Sequence, residues 1–252
     1  FYEIITVGGP KELPLFIGLN PANTHDSIAS MKALSNLTRF LRRDRVGYDI
    51  DVFIADCGHD GEPLHHYVYK DLGIQPVIPI SGEVPAVHPI RKELGLDPKT
   101  AIPLCGAGCP MASWGTAGEG RTSYICPVKA GKIERCPLAP DEDPERVCRP
   151  DQKYGPTVVL NVADNPRLFP VIPRGSKKFK DLYNKRSGCE RFHAYVKGIG
   201  HFGDCGHRRW SFWIIRLYMA AILQHARAWV ESMDAEVHLR KVLGMEEVSA
   251  AA

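Results

Sequence analysis

The 252-residue chain lacks the features that mark exported and membrane-spanning proteins. Phe1 to Val7 is a short strand-like run without a basic flank or a small-residue cleavage site, so no secretory signal opens the sequence. The longest apolar segment, Trp210 to Trp229, contains Arg216 and Arg227 and is predicted to be a buried helix, not a membrane span. These absences predict a cytoplasmic protein without a membrane partner, whose cysteines stay reduced or bind metal.

The sequence also lacks a strong excess of charge of one sign, and it has no internal repeat. Its formal net charge is +3, its charged content is 24% and its apolar content is 44%, which are ordinary values for a globular protein with a sizeable core. The charge is unevenly distributed, because residues 174–216 contain 11 Lys or Arg and only 3 Asp or Glu. Such a segment fits a polyanionic partner, although a lysine-rich solvated surface gives the same pattern.

The first third of the chain predicts an alternation of strands and helices. Two apolar runs, residues 1–7 and 13–19, flank a Gly-Gly-Pro turn and predict an antiparallel hairpin. Asp26 is interpreted as part of the N-cap of a helix that ends near Arg43. A strand, a helix and a buried strand are predicted next, at residues 48–55, 62–72 and 75–80. This order indicates an α/β or α+β sheet with helical cover.

The composition changes at about residue 84, where prolines and cysteines become frequent. The segment lacks a long apolar period, and its only clear predicted strand is Val158 to Val162. We therefore interpret residues 84–172 as a Cys/Pro-rich, core-poor insertion that separates residues 1–83 from residues 173–252.

Five of the eight cysteines lie in this insertion, namely Cys105, Cys109, Cys126, Cys136 and Cys148. They supply enough thiolates for a tetrahedral zinc site, which would stabilise a segment with little core of its own. The spacing is irregular, however, with one C-x3-C pair and no second close pair. Ordinary reduced cysteines explain the same residues, so structural zinc is one of two interpretations.

Four polar residues, Tyr183, Arg186, Glu190 and Lys197, occupy a stretch that is predicted to form one helix. At about 100° per residue their side chains fall within about 60° of one another, opposite an apolar face. An amphipathic helix with a solvated polar face explains this periodicity alone. The identities and the spacing, however, match at all four positions the Y-R-E-K signature of bacterial insertion-sequence transposases of the DDE type.

A second stretch resembles the same family. Asp56 ends a predicted buried strand, at the place where open α/β sheets carry their chemistry. A lone Asp after a strand is also a common turn residue or helix cap. The run Asp56-Cys-Gly-His-Asp60 resembles the D-x-G-Y-D motif that carries the family's second catalytic Asp, with His59 in place of the usual Tyr. The resemblance extends to residues 13–27 and 73–79.

This resemblance implies a ribonuclease-H-like mixed sheet with flanking helices, in which residues 1–83 and 173–252 form the catalytic core. The family's first catalytic Asp lies on a strand that would precede Phe1. We therefore expect that an N-terminal part is missing, either by trimming or by decay of the gene. With two of the three acids, the chain alone is expected to perform no strand transfer.

The resemblance also assigns roles to individual residues. It implies that Asp56 and Glu190 are catalytic and bind Mg²⁺ or Mn²⁺, the metals that would activate the nucleophile and stabilise the leaving oxygen. Contacts with DNA are implied for Tyr183, Arg186 and Lys197, with looser backbone contacts from Arg191 and Lys185. The expected partners are transposon inverted repeats and target DNA, and the active form is expected to be a homodimer.

Two functions are consistent with these residues. The first is a transposase catalytic domain that cleaves and transfers DNA strands at transposon ends with a divalent metal. The second is a non-catalytic, nucleic-acid-binding remnant of a transposase that is stabilised by zinc. They differ in whether an upstream strand supplies the first Asp.

Overall fold

The computed structural model describes residues 2–6, 13–21, 23–43, 49–138, 152–200, 209–232 and 242–243. The chain is a mixed α/β protein whose contacts divide it into two compact units, which we name the terminal unit (residues 1–22 and 187–252) and the central unit (residues 23–186). The three-part division predicted from composition follows other boundaries and stays a prediction.

In chain order the helices and strands are β1 (Tyr2–Thr6), β2 (Pro14–Leu19), α1 (Asp26–Arg43), β3 (Val52–Ile54), α2 (Glu62–His66), β4 (Gln75–Val77), β5 (Ala112–Thr116), β6 (Arg121–Ile125), β7 (Thr157–Asn161), α3 (Lys177–Tyr183), α4 (Ser187–Gly200) and α5 (Trp210–Ser232).

The terminal unit consists of a hairpin and two helices. β1 and β2 pair antiparallel, which confirms the predicted hairpin. Phe192 and Val196 of α4 are completely buried against Ile17 of β2 and Leu217 of α5. The apolar face predicted for α4 is therefore the face that makes the core of this unit.

α5 is a helix, as predicted, but it is not a buried one. Leu217 and Ala221 lie in the core, whereas Ile215, Met219 and Trp229 are 61%, 60% and 65% exposed. The helix is apolar on both sides, so its sequence predicts burial all round. Among the described helices, none combines the length and the apolar character that crossing a membrane requires.

The central unit is built on a short parallel pair, β3 and β4. α1 buries a stripe of residues at helical spacing and contacts α2 and the 3-10 turn after β3. α3 packs Phe179 against Val77 of β4. α2 continues directly into a π-helical turn, Tyr67–Asp71, where the sequence predicted one regular helix. This arrangement places the end of β3 and the end of α3 in the same unit.

Residues 84–172 have more structure than the sequence predicted. β5, β6 and β7 form an antiparallel sheet, of which only β7 was predicted. The segment was expected to be core-poor, but its buried residues form a core cluster that includes Leu96, Ile102, Tyr124 and Phe169. β5 and β6 are short and mix polar with apolar residues, so their sequences carry only a weak strand signal.

The strands of the described residues form three separate sheets, β1-β2, β3-β4 and β5-β6-β7. One continuous mixed sheet of the ribonuclease-H type is therefore not present in this part of the chain. The α/β class is correct, and the finer architecture stays a prediction.

Candidate functional site

The loop after β3 carries Asp56 in a well-defined geometry. The residue caps a 3-10 turn, Cys57–His59, and its Oδ1 accepts a hydrogen bond from the Gly58 backbone N–H at 3.0 Å. Nδ1 of His59 lies 2.7 Å from the same oxygen. Both bonds go to Oδ1, and the Asp56 side chain is 47% exposed. The loop thus fixes the carboxylate and keeps it accessible.

The surroundings of Asp56 favour its ionised form. Burial raises the pKa of this carboxyl, but the hydrogen bond and charge of His59, the Gly58 N–H and the positive charge of Arg186 lower it, and the net pKa lies below its ordinary value. Asp56 is therefore a carboxylate at neutral pH and can bind a hard divalent cation.

The positive charge of Arg186, a residue of the Y-R-E-K pattern, is among the causes that lower the pKa of Asp56. Its guanidinium lies over the Tyr183 ring, 5.6 Å from the centroid, and Tyr183 in turn stacks on Phe179 at 6.1 Å. Phe179 is buried against Val77 of β4. The aromatic pair Tyr183 and Phe179 therefore connects Arg186 to the β3-β4 sheet, and Asp56 lies in the loop after β3.

The four residues of the Y-R-E-K pattern do not lie on one continuous α-helix, so that prediction is wrong. Tyr183 ends α3, Arg186 lies in a 3-10 turn, Asn184–Arg186, and Glu190 lies in the first turn of α4. A 3-10 turn has about 3.0 residues per turn, so it breaks the 100° spacing on which the prediction rested. Ser187 and Gly188, which follow it, are weak helix formers.

The remaining predicted residues are divided between the units. Lys185 is exposed in the 3-10 turn of the central unit, whereas Glu190, Arg191 and Lys197 are exposed on α4 of the terminal unit. On α4, burial and the Lys197 charge lower the pKa of His193, and the Glu190 charge opposes them. The roles of these residues in metal or DNA binding stay predictions.

Asp26 is a carboxylate near Asp56 that sequence reasoning interpreted only as a helix cap. A Cβ added to Gly58 would lie 3.2 Å from Oδ1 of Asp56 and 3.4 Å from Oδ2 of Asp26, so both carboxylates border this glycine. At the start of α1 it is the neighbouring His25 that acts as a cap, because its Nδ1 accepts a hydrogen bond from the Ser27 backbone N–H at 3.3 Å. The sequence holds no signal for this approach, because it depends on how α1 meets the loop.

The second acid of the loop, Asp60, is in a buried ion pair. Its carboxylate accepts bonds from Nε and Nη2 of Arg167 at 3.1 and 2.7 Å, and from the Ser81 backbone N–H at 2.7 Å. Nε2 of His65 lies 3.1 Å away. Burial raises the pKa of Asp60, but the bonds from His65, Arg167 and Ser81 outweigh it and hold this pKa far below its usual range.

A buried arginine extends this network. Arg174 donates to the carbonyls of Ile78, Leu168 and Arg167, and burial lowers its pKa to about 10, so it stays charged at neutral pH. Sequence reasoning assigned neither Arg167 nor Arg174, since a buried arginine cannot be distinguished from a solvated one in the sequence. Together they tie residues 167–174 to the loop that carries Asp56 and Asp60.

The cysteines of residues 105–136 lie around Cys109. The Cys105 N–H donates to the Cys109 carbonyl at 2.9 Å, and Gly108, with φ of 70°, closes the turn between them. Burial and the neighbouring thiols of Cys105, Cys136 and Cys126 raise the pKa of Cys109. Within the described residues, no three His, Cys, Asp or Glu side chains are grouped closely enough to hold a metal ion. The fifth predicted cysteine, Cys148, lies outside the described residues.

Comparisons of the chain with models of protein families, with curated proteins and with solved structures found no match.

Proposed function

We propose that this chain is the catalytic part of a DNA transposase that cleaves and transfers DNA strands at transposon ends with divalent metal ions. The observation that carries the proposal is the stack of Arg186 on Tyr183 and of Tyr183 on Phe179 in the central unit. Phe179 packs against Val77 of β4, which pairs with β3, the strand that Asp56 follows. Arg186 and Asp56 belong to different motifs of the same resemblance, and their connection to one sheet supports the interpretation of both motifs as parts of one site.

The residues around Asp56 supply part of the chemistry that the reaction requires. Asp56 is ionised and accessible, which suits Mg²⁺, an ion that binds one or two carboxylates and fills its other positions with water and phosphate oxygens. When bound, the metal would act as a Lewis acid on the phosphate and activate the attacking hydroxyl. Asp26 offers a nearby carboxylate in the same unit. Glu190 is the further acid that the resemblance to the transposases implies. Arg186 would neutralise a phosphate oxygen, for which its planar guanidinium is suited.

Nicking of supercoiled plasmid in Mg²⁺ or Mn²⁺, by the product of the complete reading frame, tests the proposal. We expect nicking that EDTA stops. Asp56→Asn and Glu190→Gln are each expected to slow it by about 100-fold or more, because a catalytic metal contributes several kcal/mol and about 1.4 kcal/mol is tenfold in rate. Asp49→Asn, which removes an exposed carboxylate from the segment before β3, is the control and should nick normally.

Unchanged nicking by Asp56→Asn would contradict the assigned site. Complete absence of metal-dependent nicking, with DNA binding retained, would contradict catalysis and favour the second candidate.

The second candidate is a non-catalytic nucleic-acid-binding remnant that is stabilised by zinc, and the backbone turn that joins Cys105 and Cys109 favours it. The Cys105–Cys109 turn supplies two thiols on one backbone bend, and Cys126 and Cys136 supply two more. Among the described residues no three of these side chains are grouped closely enough to hold an ion, so zinc binding would require them to move together.

Zinc analysis of the purified protein tests this candidate. We expect about one zinc ion per chain, and a lower melting temperature after chelation, because metal-binding free energy adds to folding free energy. Cys109→Ser should lose the metal, whereas Cys57→Ser, which changes an exposed thiol beside Asp56, should retain it. Protein without zinc and with a melting temperature that chelators leave unchanged would exclude a structural zinc site.

A further inference from the structure

A groove with a volume of about 530 Å³ lies at the C-terminal end of α1. Arg39, Arg42 and Arg43 line one side of it, and Tyr67 and Leu72 line the other. Among the described residues, no Asp or Glu lines this groove. We name it the arginine groove. It belongs entirely to the central unit, and none of its residues was assigned from the sequence.

The stability of α1 does not account for this concentration of charge. The buried stripe of the helix consists of Ala33, Leu34, Leu37 and Leu41, and the three arginines are exposed on the other side. Basic residues in a last turn stabilise the helix dipole, which explains only Arg42 and Arg43. Arg39 lies before that turn, and its Nη2 is held by Oδ1 of Asn36 at 3.1 Å. That neutral partner orients the guanidinium without cancelling its charge.

The opposite wall is formed by an unusual element. α2 changes at Tyr67 into the π-helical turn Tyr67–Asp71, which ends where the Leu72 N–H donates to the Tyr67 carbonyl at 3.1 Å. Single π turns inside helices are rare and occur often at functional sites. Both wall residues, Tyr67 and Leu72, come from this turn and its end. The turn therefore shapes the side of the groove that faces the arginines.

We propose that the arginine groove binds the sugar-phosphate backbone of duplex DNA. Exposed guanidinium groups form bidentate bonds with phosphate oxygens, and tyrosine and threonine hydroxyls commonly complete such contacts. Tyr67 provides such a hydroxyl in the groove, whereas the Thr38 hydroxyl donates to the Leu34 carbonyl at 2.8 Å. Exposed arginines suit a continuous polyanion, whose binding releases condensed counterions.

The position of the groove along α1 deepens the proposed function and depends on it. The helix starts at Asp26, whose carboxylate borders Gly58 beside Asp56. Between Asp26 and the three arginines the helix rises about 20–25 Å, at about 1.5 Å per residue. This length corresponds to about 6–7 base pairs at about 3.4 Å each. In a complex in which α1 runs along the duplex axis, the groove would contact the backbone about 6–7 base pairs from the phosphate that lies at Asp56.

The salt dependence of binding to a fluorescent DNA duplex tests the proposal without requiring catalysis. Each phosphate contact contributes about 0.9 to the slope of log K against log salt concentration. The double variant Arg39→Gln/Arg42→Gln should therefore reduce the magnitude of the slope by about 2. Arg39→Lys/Arg42→Lys keeps both charges and should keep most of the slope, which separates loss of charge from damage to the fold. Lys99→Gln/Arg135→Gln removes two exposed charges outside the groove and should change the slope little.

Several results would overturn the proposal. They are an absence of DNA binding by the wild-type chain, an unchanged slope in the Arg39→Gln/Arg42→Gln variant, and an equal loss of slope in the Lys99→Gln/Arg135→Gln control. Displacement of DNA by inorganic phosphate at constant ionic strength would instead mark a small-anion site. Tighter binding of single-stranded RNA than of the duplex would exclude duplex DNA as the partner.

The groove and the proposed function fail in different ways. If the function is wrong, metal-dependent nicking is absent but the Arg39→Gln/Arg42→Gln variant still loses slope. If the groove is wrong, nicking depends on Asp56 while the slope of this variant is unchanged.

Discussion

Asp56 and Asp60 lie four positions apart in one loop, yet their surroundings give them different roles. The Asp56 side chain is 47% exposed and is bonded to its own loop, whereas the Asp60 side chain is fully buried. Asp60 accepts from Arg167 and Ser81, which come from distant parts of the chain. Asp60 therefore holds the loop to the rest of the central unit, and Asp56 is the carboxylate that stays accessible to a ligand.

Removing the buried charge should destabilise the protein much more than removing the accessible one. Asp60→Asn leaves Arg167 without its anionic partner, and we expect a loss of about 2–4 kcal/mol in the free energy of unfolding at neutral pH. Asp56→Asn, the matched control, is expected to cost less than about 1 kcal/mol, since its side chain is half exposed. Urea denaturation of both variants measures the difference.

The pH dependence of this difference has a definite sign. The pKa of Asp60 is lowered in the folded state, so its stabilisation is fully present above its ordinary value of 3.8 and is lost as the pH falls through the lowered pKa. The gap between wild type and Asp60→Asn should therefore be widest near neutrality and shrink below about pH 4. A gap that stays constant as the pH falls well below about 4 would show that the ion pair does not contribute through its charge.

At the scale of elements, the connection between β6 and β7 contains a left-handed glycine whose surroundings leave no room for a side chain. Gly155 has φ of 62°, and a Cβ there would lie 2.8 Å from Cβ of Cys126. Cys126 immediately follows β6, and its N–H donates to the Tyr154 carbonyl at 3.2 Å. Gly155 therefore packs directly against Cys126, the residue that follows the middle strand of this sheet.

Gly155→Ala should cost more stability than a glycine substitution with the same backbone strain and open space. Gly131 has φ of 68° and nothing within 4 Å of an added Cβ, so Gly131→Ala reports the cost of the left-handed backbone, about 1 kcal/mol. Gly155→Ala adds the clash with Cys126, which is expected to contribute about 1–3 kcal/mol more. Urea unfolding of the two variants gives this difference directly, and equal losses would mean that Cys126 moves aside freely.

At the scale of the whole molecule, residues 84–172 are part of the framework of the central unit. Their core cluster and their three-stranded sheet give them internal structure, and Arg167 anchors them to Asp60. Composition alone described this segment as an insertion, because prolines, cysteines and short mixed strands lack a clear period. The ion pair between Arg167 and Asp60, which are distant in the chain, joins this segment to the rest of the central unit although its sequence has no clear period.

The sequence by itself determined the local elements and the positions of the motifs. Two apolar runs around a Gly-Gly-Pro turn predicted the β1-β2 hairpin. Apolar spacing predicted α1 and the buried face of α4, because one face of a helix repeats every 3.6 residues. Only the tertiary structure decided that Arg186 acts on Asp56, that Asp60 is paired with Arg167, and that Asp26 approaches Gly58. These contacts join residues that are distant in the chain, and no local period encodes which of them meet once the apolar surfaces pack.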